Sequence, residues 1–89
     1  MLVDEIRKIQ KTTQPERDAI IADQTAQLFK EIKAELIQAA KNPVHTTNNL
    51  TIKTNRYPWE CWKNLAAILR GEGFMVTFHE FNSYMNIFW

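Results

Sequence analysis

The sequence predicts an α+β fold, a long N-terminal helix with a small antiparallel sheet packed on helices. Two observations carry this. Residues 1–42 are rich in Ala, Ile, Leu, Glu, Lys and Gln, mostly strong helix formers. Residues 44–89 hold three stretches that alternate apolar with polar, and of the ten aromatic residues only Phe29 precedes position 57. Eighty-nine residues suffice for one domain, so residues 1–89 are expected as a single unit, with a helical part (1–42) and a strand–helix–hairpin part (44–89).

Leu2, Ile6 and Ile9 fall at i, i+4 and i+7, which predicts a first short helix over residues 2–11. Thr12-Thr13 interrupts it. Thr13-Gln14-Pro15-Glu16 reads as a capping box, with Pro15 in a first turn where its missing N–H costs nothing. A second, long helix is therefore expected over residues 14–41, with Ile21, Leu28, Phe29, Ile32, Leu36, Ala39 and Ala40 on one broad face. Asn42-Pro43 ends it, because a proline disfavours helical conformation at the residue before it.

Residues 45–49 read as a polar turn, and Leu50 to Thr54 as a strand. Pro58 opens a third helix over residues 58–70, carrying Trp59, Trp62, Leu65, Ala66 and Leu69, and Gly71 is expected to close it in the left-handed conformation. Phe74 to Glu80 and Tyr84 to Trp89 form a hairpin around Phe81-Asn82-Ser83, with Asn82 best suited to positive φ. The expected order is α-α-β-α-β-β. Phe74, Val76 and Phe78 share one face with Met85, Ile87 and Trp89, which places Trp89 over the core. The opposite face, with Met75, Tyr84 and Phe88, is left for the long helix or another subunit to cover.

Composition narrows the function classes. Eleven basic and ten acidic side chains give a net charge of +1, without the basic excess usual for a protein that lives on nucleic-acid phosphates. No apolar run approaches the roughly 20 residues that cross a bilayer, and the early acids Asp4 and Glu5 do not suit a signal peptide. The expectation is a cytoplasmic protein without a membrane span. A lone cysteine excludes an intrachain disulfide, and Cys61, His45 and His79 make no zinc spacing. No cofactor or metal is expected. Small domains often gain stability from a second subunit, so a homo-oligomer is the expected state. A helix over 14–41 is about 40 Å long and overhangs a compact body of this size, which points the same way.

Few residues suggest chemistry. Cys61 with His79 as base is the one nucleophile arrangement available, but an isolated cysteine on an amphipathic helix reads more simply as a small buried hydrophobe. Gly71-Glu72-Gly73 follows a helix, whereas phosphate loops precede one. The alternating charges Arg17, Asp18, Asp23, Lys30, Glu31, Lys33 and Glu35 read as a solvated helix face. The expectation is a non-enzyme. Lys53, Arg56, Tyr57, Trp59 and Lys63 interleave cations with aromatics and are the candidate partner or nucleic-acid contact, although packing at a strand-to-helix corner explains them at least as well. Leu28, Ile32, Leu36, Met75, Tyr84 and Phe88 are the candidate oligomer contacts.

From Leu50 to Trp89 the chain reads strand, Tyr57-Pro58-Trp59-Glu60, a helix ending Leu69-Arg70-Gly71-Glu72-Gly73-Phe74, a valine-bearing strand, then Ile87-Phe88-Trp89. This run resembles short proteins encoded by tailed phages and large DNA viruses, in which a helix leads to a Gly-Phe or Gly-Tyr pair, then a hairpin and an Ile-x-Trp-like ending. Two glycines stand here where that pattern has one. The resemblance implies a viral, non-enzymatic structural or interaction protein with a host or virion protein as partner. It assigns no functional residue. The alternative is a nucleic-acid-binding accessory using residues 53–63.

Overall fold

A computed structural model describes residues 1–89. Helix α1 spans Leu2–Lys41, strand β1 Asn49–Lys53, helix α2 Trp59–Gly71, strand β2 Met75–His79 and strand β3 Tyr84–Phe88. The fold class is α+β, as the composition split implies. The sheet is antiparallel in the order β1-β3-β2. Leu50 faces Ile87 and Val76; Ile52 faces Met85 and Phe78.

The two helices expected at the N-terminus run on as one, so the order of elements is α-β-α-β-β. The capping box does not form. The Thr12 hydroxyl donates to the Lys8 carbonyl, and the Thr13 hydroxyl is shared between the Ile9 and Gln10 carbonyls. Both threonines thus serve the turn behind them instead of opening a new helix. Pro15 sits inside α1, where it leaves the Lys11 carbonyl without its usual N–H partner.

The core lies between one face of the sheet and the two helices. Leu28 and Ile32 of α1 meet Cys61, Trp62, Leu65, Ala66 and Leu69 of α2, above Ile52, Val76, Met85 and Ile87. The apolar residues of α2 recur at helical spacing, so one side of the helix is wholly covered. Trp62 is fully buried and satisfies its indole N–H on the Tyr57 carbonyl at 3.2 Å. The left-handed glycine after α2 is Gly73 (φ 97°), not Gly71, which still belongs to the helix. The Phe74 N–H reaches the Leu69 carbonyl at 3.0 Å and the Gly73 N–H reaches that of Arg70 at 3.2 Å, a Schellman motif whose left-handed glycine comes later in the chain than the expected Gly71.

The charged face of α1 is less idle than its alternation suggests. Arg17 pairs with Glu60, Glu35 lies 3.4 Å from Arg56, and Glu31 accepts from the Tyr57 hydroxyl at 2.9 Å. These contacts clamp α1 onto the segment that enters α2.

Trp89 does not cover the core. It is 43% exposed, stacks on His45 with ring centroids 6.1 Å apart, and donates its backbone N–H to the Asn48 carbonyl. The strand phase is as expected, since Met85 and Ile87 are buried, but the covered area ends before Trp89, whose neighbour is the turn after α1.

Candidate functional site

Every residue from Met1 to Ile20 is exposed, whereas Ile21 onward packs on the body. The molecule measures 60 × 25 × 21 Å with a radius of gyration of 16.5 Å, against about 12 Å for a compact domain of this length. The first half of α1 is therefore an arm. It carries Leu2 (70% exposed), Ile6, Ile9 (63%) and Ile20 (57%), with Thr13 and Glu16 between them on the same side. At 3.6 residues per turn this stripe lies roughly 100° around the axis from Ile21, Thr25, Leu28 and Ile32, which face the core. The arm's apolar side is a surface of its own. Asp4, Arg7, Lys8, Lys11 and Asp18 fall on the opposite side of the arm.

The overhang is thus at the N-terminal half of the helix. Two of the expected oligomer contacts are removed by the same packing. Leu28 and Ile32 are fully buried by α2 and cannot reach another chain, and Leu36 is half-buried against the core. The other three share the outer face of the sheet. Met75 faces Phe88 across the outer face of the sheet, and Tyr84 lies on that face between Lys53 and His79. Neither helix covers this face; Thr51, Asn86 and Thr77 form its middle row.

The residues of the 53–63 cluster do not converge on one patch. Arg56 is paired with Glu35, and the Tyr57 hydroxyl with Glu31. Trp59 packs edge-on against Phe78 at 4.8 Å and is 38% exposed. Lys53 belongs to the outer face of the sheet and Lys63 to the solvent side of α2. Three glutamates, Glu31, Glu35 and Glu60, lie among them. Desolvation, then the Glu31 carboxylate, raises the Tyr57 pKa. The backbone hydrogen bond at the start of α2, then Arg17, lowers that of Glu60.

Cys61 is fully buried, with its Sγ 3.8 Å from the Ile21 carbonyl and from Gln24 Oε1. His79 lies on the outer face of the sheet, its Nε2 3.2 Å from Thr77 Oγ1. The sheet separates the two, so they form no nucleophile–base pair.

The hairpin tip escaped the sequence reading. Glu80, Phe81 and Asn82 all adopt left-handed backbone (φ 51°, 54° and 66°), where only Asn82 was expected. Phe81 is wholly in solvent. Thr54 braces this turn, its N–H on the Ser83 carbonyl at 2.9 Å and its hydroxyl on that of Asn82. A groove of about 860 Å³ also runs between β1 and the last turns of α1. No sequence signal marks it, because it arises from two segments that come close without packing.

No family model, curated protein or solved structure matches this chain.

Proposed function

We propose that this protein is a non-enzymatic interaction module that assembles as a small homo-oligomer through the arm of α1. The observation that carries this reading is the exposed stripe Leu2, Ile6, Ile9 and Ile20 on a helix that leaves its own body. A helix in a protein gains most of its stability from packing an apolar face, which the arm does not do on its own body, and Pro15 weakens it further. Packing on a second helix supplies what the arm lacks. Asp4, Arg7, Lys8, Lys11 and Asp18 sit on the far side of the arm, so the stripe over Leu2, Ile6 and Ile9 is free of charge and only Glu16 interrupts it before Ile20. The setting follows the C-terminal resemblance, a phage or large-DNA-virus chain with a host or virion protein as further partner.

Light scattering between 5 and 200 µM, concentrations chosen at about the micromolar scale of weak assemblies, tests the arm. The parent should reach at least twice the monomer mass, and the pair Ile6→Glu, Ile9→Glu should stay monomeric with an unchanged melting temperature of the body. A parent that is monomeric throughout the range would rule out arm-driven assembly.

A further inference from the structure

Strand β1 is an edge of the sheet, and its register fixes which of its backbone groups are free. The Thr54 N–H bonds to the Ser83 carbonyl and the Trp89 N–H to that of Asn48. Both are bonds between directly facing residues, so the alternation of an antiparallel ladder assigns Leu50 and Ile52 to the bonds with β3. The N–H and C=O groups of Asn49, Thr51 and Lys53 therefore point outward. His45 Nε2 already occupies the Asn49 carbonyl at 2.9 Å. The same parity turns Val76 of β2 outward, and there Arg70 Nη2 closes the carbonyl at 2.9 Å. Each outer edge thus has one carbonyl occupied by a side chain, and on β1 the N–H and C=O of Thr51 and Lys53 make no other bond.

Those four groups open onto the groove between β1 and α1. Leu50 and Ile52 line it from the strand, and Ala34, Gln38 and Ala39 from the helix. Its charged margin holds Lys41, Lys53 and Arg56 against the single carboxylate of Glu35. A second copy of β1 would bring its own Lys53 into this basic margin, so charge disfavours self-pairing.

We infer that the β1 edge is a peptide-binding site that takes an extended segment bearing acidic side chains as a fourth strand of the sheet. The segment pairs its backbone with Thr51 and Lys53. Its alternate apolar side chains lie against Ala34, Gln38 and Ala39, which puts its carboxylates on the opposite face of the sheet, beside Lys53. Five extended residues span about 17 Å. The site is separate from the arm and does not depend on it.

The test uses the full chain and two fluorescent eight-residue peptides, one alternating valine with glutamate and one alternating valine with lysine. Polarisation should show the glutamate peptide binding at least tenfold more tightly. Thr51→Pro removes one outward N–H and none of the backbone bonds to β3, losing across the ladder only the Thr51 hydroxyl's bond to Asn86, a change that edge strands tolerate, and should weaken the glutamate peptide at least tenfold. Amide hydrogen exchange on the parent gives a second reading that does not rely on the variant's folding. Saturating glutamate peptide should slow exchange at Thr51 and Lys53 tenfold or more. Equal binding of the two peptides, no binding at millimolar concentration, or unchanged exchange at both amides overturns the proposal. So does concentration-dependent protection of those amides without peptide, which would assign the edge to a second copy.

Discussion

Replacing the exposed aromatic at the hairpin tip by glycine should stabilise this protein. Phe81 has φ 54° and its side chain is wholly in solvent, so Phe81→Gly removes no packing. The left-handed conformation costs an L-residue with a Cβ roughly 1–2 kcal/mol, and glycine avoids that cost. Against this, glycine loses about 0.5–1 kcal/mol more backbone entropy on folding. The net gain is about 0.5–1 kcal/mol, which for a domain of this size raises the melting temperature by about 2–8 °C. Phe81→Ala separates the terms, because it deletes the ring but keeps the strain, and should melt within a degree or two of the parent. Phe81→Val adds β-branching at positive φ and should melt lower. Thermal unfolding followed by circular dichroism, with urea midpoints as a check, reads all three. A Phe81→Gly protein that melts below the parent would refute the reasoning, since the ring would then make a contact worth more than the strain.

Trp89→Ala removes the stack on His45 and part of a half-covered indole, so it should cost about 1–2 kcal/mol, less than the ~3–5 kcal/mol of a core tryptophan, and lower the melting temperature by about 4–16 °C. The Glu60 pKa is lowered in the fold, so its contribution is present above the unfolded carboxyl's pKa and is lost as pH falls through the folded value. Glu60→Gln should accordingly flatten the acid side of the stability–pH curve, measured by urea midpoints from pH 7 down to about pH 3; an identical acid slope in both proteins would count against the pairing with Arg17. Because Cys61 is fully buried, its thiol should react with a disulfide reagent only as fast as the protein opens, and rapid labelling in native buffer would contradict the packing around it. Cys61→Ser should keep the oligomeric state and any partner binding, measured by light scattering and polarisation.

The α+β class and the sheet were legible because they rest on local pattern. Leu50-Thr51-Ile52 alternates, Met85 and Ile87 alternate with Asn86, and burial of one face fixes the register. The fused helix was not legible. Thr13-Gln14-Pro15-Glu16 satisfies a capping box and an uninterrupted helix equally well until the hydroxyl's partner is known, and here that partner is behind it. Gly71 and Gly73 are a similar case, since either can end α2 and only the observed bonds from Phe74 and Gly73 choose between them. The 53–63 cluster read as basic because Glu31 and Glu35, which answer Tyr57 and Arg56, lie more than 20 positions earlier.

The two proposed surfaces share a physical origin that separates them from the core. Leu28, Ile32 and the apolar side of α2 agree with one another, and that agreement covers Ile52, Val76, Met85 and Ile87 on one face of the sheet. The arm departs from it, because its stripe turns roughly 100° away from the core side of the same helix. The β1 edge departs from it as well. Arg70 of α2 reaches β2 at the opposite edge, whereas α1 passes β1 at a distance that leaves a groove. A long, straight α1 accounts for both features. It must extend past the body at one end, and at the other it stands off from β1 while α2 fills the space over β2. Shortening α1 by packing alone is not open to this sequence, since residues 4, 7, 11, 14 and 18, which would continue the core face into the arm, are Asp, Arg, Lys, Gln and Asp. The polar side of the arm thus keeps it off the body and leaves its apolar stripe free for a second chain.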